Sequence, residues 1–510
     1  QSAEPTDAEA GRMLTVLRNI RQTCIRCLDL VFSISLDRDW TPYVRVIYDE
    51  VISPRMENFA VETAQGISGF LRLFHTWATA PRSAFYLSRY NNVALTKTVD
   101  ILGVDSAREE VKIFVMDEIL APIIELCSGK KLQEQEEMPD FSPDEVRSDV
   151  LSPYIEHALL HLGRLLKRGP SRPLLISGVQ TLSLLAPFVE SSQETSSLIS
   201  ITTYLLRQPP DRVSPKTKSG LLRTLEHFLP LYDPQEDPKL SQEVFEATSS
   251  MFDYFRDNAN REILSRVFTA FARHDQELHE VATLCEDLNS VSMKKLEVDY
   301  ERRLQAFRTV NEGLWETLSA KQWRPLLFNM LYHLKDEDEL AIRSSASFGL
   351  KRFIEWTALP GAKPEEFGPL VEDVLFPALQ NGIRQKSELI RSEFITALGY
   401  FARLNPGNAA IHDLHVLLVG DDEEASFFNN ILHIQQHRRL RALRRLATEA
   451  TRGVLQPSNI STFFIPLIEH FVFDDEVEES GHNLTAEAVT TIGALAEWLD
   501  WSRFRANFRR

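Results

Sequence analysis

The chain has 510 residues, more than one compact hydrophobic core usually holds, so it must form several domains or an array of repeats. Its formal net charge of −17 opposes wholesale binding of nucleic acid, so any such contact has to come from local basic patches. The hydrophobic content of 43% excludes a disordered chain, and no apolar stretch is long and unbroken enough to predict a membrane span.

Helical periodicity dominates the chain, and convincing alternating strand patterns are absent from the sequence. In the first two thirds, apolar spacing predicts helices over residues 13–35, 41–51, 57–79, 109–127, 154–167, 174–188, 198–206, 217–229, 242–255 and 261–271. The acidic stretch 129–150 is expected to be a mobile insertion. We therefore assign residues 1–128 and 151–322 to irregular helical repeats on either side of it.

Regular repeats are predicted over residues 323–510. Arg343, Arg391 and Arg439 stand in similar apolar contexts at two steps of 48 residues, and a weaker copy begins at Thr485. The period is close to that of HEAT repeats, about 40–47 residues, in which pairs of helices stack because one pair cannot bury its apolar face alone. The sequence therefore predicts an all-α fold, an α-solenoid of HEAT-type repeats that is a fragment of a longer array.

The three repeat arginines are expected to be structural. Each is predicted to lie at the start of the second helix of a pair, after an inter-helix turn. Two of the turns in this part of the chain are acidic, at residues 335–339 and 420–424. We expect Arg343, Arg391 and Arg439 to meet acidic turn residues.

The most basic segment is also predicted to be helical. Spacing of about 100° per residue places Leu440, Leu443 and Ala447 on one side, and Arg438, Arg441 and Arg445 on the other. We predict that this row of guanidinium groups, with the neighbouring His437, contacts RNA phosphate or an acidic protein partner. A solvated face without a partner remains a third alternative.

A second basic segment runs from Lys294 and Lys295 to Arg308. It is interleaved with acidic residues, namely Glu297, Asp299 and Glu301. Pairing between residues four apart can satisfy much of this charge, which favours an ordinary solvated helix face. Lys294 and Lys295 stay as further candidates for contact with RNA or a protein partner.

Catalytic motifs are not found in the sequence. It contains no phosphate-binding glycine loop, no HExxH and no GxSxG. His157 and His161 have the i, i+4 spacing of a metal-binding pair, but the sequence indicates no third ligand. Cys24 and Cys27 have CxxC spacing without a second pair, so we expect buried thiols rather than a metal site. We predict a protein that is not an enzyme and has no cofactor, no metal and no small-molecule substrate.

Several segments resemble one protein family. The most specific is His433-Ile-Gln-Gln-His-Arg-Arg-Leu-Arg-Ala-Leu443 within residues 433–446. Residues 299–307, 323–327, 336–353 and 483–501 agree with it. Together they resemble the DRIM family of very large HEAT-repeat proteins of the small-subunit processome. The specific match covers roughly residues 285–501, and residues 1–284 contribute helical character only.

The resemblance implies a non-catalytic scaffold in early assembly of the small ribosomal subunit. It implies a nuclear, nucleolar location, and processome proteins, pre-18S rRNA or its guide snoRNA as partners, with no membrane. It assigns RNA contact to no particular arginine. An alternative is a HEAT-repeat adaptor of the transport-receptor or phosphatase-scaffold type, which acidic charge and helical repeats fit equally well. An enzyme with a dispersed site is a second alternative.

Overall fold

The computed structural model describes residues 7–35, 38–129, 142–292, 297–420, 422, 425–473 and 482–508. The chain divides into two compact units, residues 1–247 and residues 248–510. Within the described ranges no strand forms, and one isolated antiparallel bridge joins Val291 to Val298. The predicted all-α fold class is therefore confirmed.

The helices of the first unit follow one another closely along the chain. They are α1 (Asp7–Ile34), α2 (Thr41–Ile47), α3 (Phe59–Thr63), α4 (Gly69–Thr79), α5 (Pro81–Ala84), α6 (Val93–Asp100), α7 (Glu109–Phe114), α8 (Ala121–Cys127), α9 (Pro143–Val146), α10 (Ile155–Lys167), α11 (Arg172–Leu185), α12 (Thr195–Leu206), α13 (Pro215–Phe228) and α14 (Pro238–Tyr254). The division between the two units falls within α14.

The second unit continues in the same manner. Its helices are α15 (Asn258–Ala272), α16 (His279–Leu288), α17 (Tyr300–Arg308), α18 (Ala320–His333), α19 (Leu340–Ala358), α20 (Pro364–Leu370), α21 (Phe376–Ile383), α22 (Glu388–Leu404), α23 (Phe427–Asn430), α24 (Gln436–Thr451), α25 (Pro457–Asn459), α26 (Ile465–Phe473), α27 (His482–Ala496) and α28 (Trp501–Phe508).

Proline explains an irregularity that recurs in these helices. Short π-helical segments lie just before a proline in several places, for example Val115–Leu120 before Pro122, and Val371–Leu375 before Pro377. Proline lacks an N–H group, and its ring collides with the carbonyl group four residues earlier. The wider π turn absorbs this conflict, so the helix continues through the proline instead of ending there.

One predicted helix is broken in the structure. The prediction over residues 57–79 is wrong as a single helix, because α3 ends at Thr63 and α4 begins at Gly69. Ser68 has an extended backbone, and its hydroxyl accepts a hydrogen bond from the Leu71 amide. This N-cap starts a new helix and satisfies an amide that has no partner within the helix.

The first helix also corrects the prediction for the cysteine pair. Cys24 and Cys27 are exposed, whereas Cys127 and Cys285 are buried. Helix α1 packs against α4 along a narrow face, on which Ile25 and Phe32 are buried, while most of its other described side chains are exposed. The prediction of buried thiols at Cys24 and Cys27 is therefore wrong, because both lie on the exposed side of α1.

Helical pairs stack in succession in the last third of the chain. Helix α18 packs against α19, α21 against α22, α23 against α24, and α26 against α27. The second helices also pack on one another, α19 on α22 and α24 on α27. This arrangement is the HEAT-type α-solenoid that the 48-residue spacing predicted.

The predicted acidic insertion lies mostly outside the described residues. Residues 130–141 are not among them, whereas Pro143–Val146 is α-helical and Arg147–Leu151 forms a π-helical segment. The mobility of residues 129–150 and the four-part division of the chain stay predictions.

A buried polar cluster lies in the core of the second unit. Arg261 is completely buried, and its Nε and Nη2 groups donate hydrogen bonds to the side-chain oxygens of Asn289 and Asn329, at 2.7 and 3.0 Å. Its guanidinium carbon lies 3.4 Å from the centre of the Tyr332 ring. His333 is also completely buried, and its Nε2 donates to the carbonyl oxygen of Leu288 at 3.1 Å. Helices α15, α16 and α18 are thus tied together by polar contacts as well as by apolar packing.

His333 should make stability depend on pH. Burial, together with the positive charges of Arg261 and Arg303, holds the pKa of His333 well below its usual value. The unfolded chain binds a proton at this residue near pH 6.5, and the native protein does not. The free energy of unfolding is therefore not reduced by His333 above about pH 6.5. Below that pH it falls by about 1.4 kcal/mol per pH unit, until the pH reaches the native pKa of His333.

The test compares urea unfolding at pH 7.5 and pH 5.5 in the wild type and in His333→Gln. The difference between the two pH values should shrink in the variant, even if the variant is less stable at both. The exposed His274 provides the control, since His274→Gln should retain the wild-type pH dependence. An unchanged pH dependence in His333→Gln would contradict the assignment.

Candidate nucleic-acid interface

The basic helix forms where the sequence predicts it. Helix α24 spans Gln436–Thr451, and residue Gln435 before it has an extended backbone. The buried face of α24 consists of Ala442, Leu443, Leu446 and Ala450. Helix α24 packs against α27 and the preceding helix α23.

This buried face is rotated from the predicted one. Of the expected stripe, Leu443 is buried, whereas Leu440 and Ala447 are half-buried. The outward side of α24 consequently centres on Arg441 and Arg444, and Arg438 and Arg445 lie at its edge. The predicted row of three outward arginines is therefore correct for Arg441 alone.

Arg445 is occupied within the protein. It is half-buried, and its Nη2 donates to the carbonyl oxygens of Val416 and Leu418, at 2.7 and 2.6 Å. These carbonyls lie at the end of the 3₁₀ segment His412–Leu417, whose last oxygens have no partner within that segment. Arg445 thus anchors this segment to α24 and is not available as an outward cation.

Four side chains of α24 form the candidate interface. His437 and Arg441 are exposed and Arg438 is half-exposed, and none of the three has an ion pair with another described residue. Arg444 is two-thirds exposed, although its Nε is 2.9 Å from a carboxylate oxygen of Glu487. We call His437, Arg438, Arg441 and Arg444 the α24 basic face.

An exposed apolar side chain lies just before α24 in the sequence. Ile434, three residues before His437, is 92% exposed. A single exposed aliphatic side chain is common on protein surfaces and by itself does not indicate a contact surface.

The repeat arginines make a shared contact with the turn that precedes their helix. The Nη1 group of Arg343 donates to the carbonyl oxygen of Asp336 at 2.7 Å. The Nη1 group of Arg391 donates to the carbonyl oxygens of Gln385 and Lys386, at 2.9 and 2.6 Å. The turn therefore contributes backbone carbonyls to these contacts, where the sequence suggested acidic side chains. A helical side chain leans toward the N-terminus of its helix, which brings these guanidinium groups back to the turn.

Arg439 combines the turn contact with an ion pair. Its Nε donates to the carbonyl oxygen of His433, and its two Nη groups hold both carboxylate oxygens of Glu388, at 3.1 and 2.6 Å. Its guanidinium carbon also lies 5.8 Å from the centre of the Phe471 ring. Arg439 therefore joins α24 to α22 and α26.

Sequence reasoning missed earlier members of this series. Buried cations occupy the fourth residue of helices α7, α13, α15 and α17, namely Lys112, Lys218, Arg261 and Arg303. Arg343, Arg391 and Arg439 hold the same position in α19, α22 and α24. From Lys218 onward the steps are 43, 42, 40, 48 and 48 residues, and this periodicity in the sequence is the signal that would have found them.

The described part of the second basic segment has one buried cation, Arg303, whereas Arg302 and Arg308 are exposed. Lys294 and Lys295 lie outside the described residues. Arg302 pairs with Asp287, and Arg303 is buried and donates to the carbonyl oxygen of Ser290 at 3.2 Å. Arg302 and Arg303 are thus engaged in contacts with residues before the segment, and not in the predicted pairing between residues four apart within it.

In the part of the chain that the structure describes, no helix combines the length and the apolarity needed to cross a bilayer. The fold and the basic helix together define the class: an all-α protein of stacked helical repeats with a local arginine-rich surface.

The family follows from comparison with known proteins. The family model described as U3 small nucleolar RNA-associated protein 20, N-terminal, matches residues 1–387, and the chain belongs to this family. This confirms the resemblance of the sequence to a family of very large proteins of the small-subunit processome. It also reaches the first 284 residues, where the sequence alone contributed only helical character.

Two curated relatives carry the name U3 small nucleolar RNA-associated protein 20. The one from Schizosaccharomyces pombe is 30% identical over 496 residues, which cover 96% of this chain and 20% of the relative. The one from Saccharomyces cerevisiae is 29% identical over 508 residues, covering 96% of this chain and 19% of the relative. The chain thus spans about a fifth of the length of these relatives.

A solved structure of an engineered protein aligns with 89% of this chain and 98% of its own. The TM-score is 0.32 at 12% sequence identity, which is too weak a similarity to inform fold or function.

Proposed function

We propose that this chain is a scaffold segment in early assembly of the small ribosomal subunit, acting within the nucleolus and without catalysis. Its relatives are named for association with U3 small nucleolar RNA, and about 30% identity extends over nearly the whole chain. The partners proposed are processome proteins together with pre-18S rRNA or its guide snoRNA.

The solenoid architecture supports a scaffold role. Stacked helical pairs expose an extended surface, on which many weak contacts can act together. The net charge of −17 repels RNA in general, so that binding depends on the few places where cations are concentrated. Such a protein holds RNA where the geometry is right and resists unspecific capture elsewhere.

We propose the α24 basic face as the RNA contact. The observation that carries this is the exposure of Arg441, beside Arg438 and His437, with no ion pair to a described residue. A guanidinium group in this state can take a phosphate in two parallel hydrogen bonds without first breaking an internal pair. Arg445 is left out, because it already holds two carbonyl oxygens.

A HEAT-repeat adaptor of the transport-receptor or phosphatase-scaffold type would share the acidic charge and the helical repeats. Membership in the family of a U3 small nucleolar RNA-associated protein favours the ribosome-assembly scaffold over that alternative.

The first test is RNA crosslinking with sequencing on the tagged protein in cells, with crosslinked peptides mapped alongside the RNA. We expect crosslinks to small-subunit precursor rRNA or its guide snoRNA, and crosslinked peptides within residues 433–446. Crosslinks through other peptides would retain the scaffold and reject the α24 basic face. No RNA above background would reject RNA contact and point to an acidic protein partner.

The second test is binding of the 510-residue chain to a single-stranded segment of that RNA at several salt concentrations. The variant replaces Arg438, Arg441 and Arg444 with alanine. Each lost phosphate contact should reduce the steepness of the log–log salt dependence by about 0.7, so the triple variant should lose about 2. Thermal stability should be nearly unchanged, because these positions are exposed or half-exposed.

The matched control changes net charge by the same amount at exposed positions elsewhere. It replaces three arginines with alanine: Arg172, Arg223 and Arg384. An equal loss of salt dependence in this control would mean that overall charge, not the α24 basic face, determines binding.

A further inference from the structure

Three side chains of the ligand type meet between two helices of the first unit. Asp100 is the last residue of α6, and His157 and His161 lie one turn apart on α10. The Nε2 atom of His157 lies 2.7 Å from Oδ1 of Asp100, and the Nε2 atom of His161 lies 3.6 Å from the same oxygen. The third ligand that the sequence could not indicate is thus a carboxylate from a helix 57 residues away.

The spacing of these atoms suits a small divalent cation. One ligand atom from each residue can be chosen so that all three lie within 4.8 Å of one another. Zinc binds nitrogen and carboxylate oxygen at about 2.0–2.2 Å in a tetrahedron, so its ligand atoms lie roughly 3.3 Å apart. Two imidazoles and one carboxylate are a common zinc ligand set, and the two Nε2–Oδ1 distances, 2.7 and 3.6 Å, lie on either side of that separation.

The ring of His161 has polar atoms that hydrogen bonding does not account for. Its Nδ1 is buried without a hydrogen-bond partner, and its Nε2 is too far from Asp100 for a good hydrogen bond. The Nδ1 atom faces Gly103, whereas Nε2 is the ring atom near Asp100, and with the ring proton on Nδ1 the Nε2 lone pair can bind a metal ion.

The backbone at Gly103 packs closely against the ring of His161. A Cβ atom at Gly103, just after α6, would collide with it. The end of α6 therefore approaches α10 closely enough to limit the movement of that imidazole, which is the kind of preorganisation a metal ligand needs.

The nearby Lys97 does not occupy Oδ1 of Asp100, the oxygen that both histidines approach. Lys97 Nζ lies 3.6 Å from Oδ2 of Asp100, the other carboxylate oxygen. The side chains of Asp100 and His157 are about a third exposed, at 31% and 33%, so an ion and a water ligand can reach the cluster from solvent.

We propose that Asp100, His157 and His161 bind one Zn²⁺ ion, with water in the fourth coordination position. The ion would clamp the end of α6 to α10 and so stabilise the first unit. An ion that binds the native state and not the unfolded chain raises stability in proportion to the logarithm of its concentration. This inference does not depend on the proposed role in ribosome assembly.

The test uses the 510-residue chain without a histidine tag, freed of metal by chelation and dialysis. Zn²⁺ is titrated by calorimetry, and the thermal midpoint is followed with and without added Zn²⁺. We expect one equivalent bound at micromolar free Zn²⁺ and a higher thermal midpoint. His161→Ala and His157→Ala should each weaken binding by about tenfold or more and lose the thermal shift.

Two controls isolate the cluster. The exposed cysteines of α1 could bind zinc on their own, so the titration is repeated in Cys24→Ser/Cys27→Ser, which should bind as the wild type does. His274→Ala removes an exposed histidine of the second unit and should also leave binding unchanged.

Substitution with Co²⁺ provides a spectroscopic check. The visible bands should show nitrogen and oxygen ligands without a thiolate charge-transfer band, and they should disappear in Asp100→Asn. If His161→Ala misfolds, His157→Ala still tests the site, because the side chain of His157 is more exposed than that of His161. The proposal is overturned if the wild type binds no Zn²⁺ at micromolar concentration, or if His157→Ala and Asp100→Asn bind it with wild-type affinity.

Discussion

Replacing Arg261 with alanine is expected to lower the free energy of unfolding of the second unit by about 3–5 kcal/mol. The side chain is completely buried, and its guanidinium donates to the carbonyl oxygens of Phe252 and Phe255 as well as to Asn289 and Asn329. The variant would leave these four acceptors buried with fewer partners, beside a cavity under the Tyr332 ring.

Burial lowers the pKa of Arg261 to about 9, so the group is still charged at neutral pH. Its charge is compensated by carbonyl and amide dipoles and by the aromatic face of Tyr332. Arg261→Lys should therefore recover only part of the loss, because an ammonium group cannot reproduce the planar fork of donors.

The measurement is urea unfolding, combined with hydrogen exchange of peptides from α15, α16 and α18. Arg256→Ala is the matched control, because Arg256 lies on the surface five residues before Arg261 in the sequence. The stability of this variant should stay near that of the wild type. Equal stability of Arg261→Ala and Arg256→Ala would show that the buried cluster contributes nothing.

Replacing Arg391 with alanine should destabilise the stacked repeats by about 2–4 kcal/mol. Arg391 is 2% exposed, and its Nη1 donates to the carbonyl oxygens of Gln385 and Lys386. Without the guanidinium group, these turn carbonyls lose a charged donor. The turn between α21 and α22 should then open more often.

Hydrogen exchange localises this effect. Amides of α22 near the turn should exchange faster in Arg391→Ala, and the calorimetric midpoint should fall by several degrees. Arg441→Ala serves as the control, since Arg441 lies on the exposed side of the next second helix, α24. If the two variants were equally stable, the repeat arginine would have no structural role.

The helices of this protein were largely predictable from sequence, for a local reason. Apolar residues recurring with the helical period mark each segment, and residues 109–127 and 154–167 are helical nearly as predicted. The break at Ser68 escaped because the apolar spacing on its two sides is continuous. The Ser68 hydroxyl caps a new helix, and this change in the backbone leaves the spacing of apolar residues unaltered.

The orientation of α24 was less predictable. Arg438, Arg441 and Arg445 lie on one side of any helix with their spacing, yet Arg441 is exposed whereas Arg438 and Arg445 are half-buried. Glu388, which holds Arg439, and the carbonyl oxygens that hold Arg445 come from other segments of the chain. Helical spacing indicates which residues share a face, but the neighbouring helices decide which face is buried.

The sequence by itself determined the fold class, the family and the repeat period, because local periodicity and the segment His433–Leu443 are properties of consecutive residues. The tertiary structure alone decided which cations are buried and which are available. It also brought Asp100 to His157 and His161, and Asn289 and Asn329 to Arg261. Each of these contacts joins residues that are far apart in the chain, and their proximity depends on how one helix packs on the next.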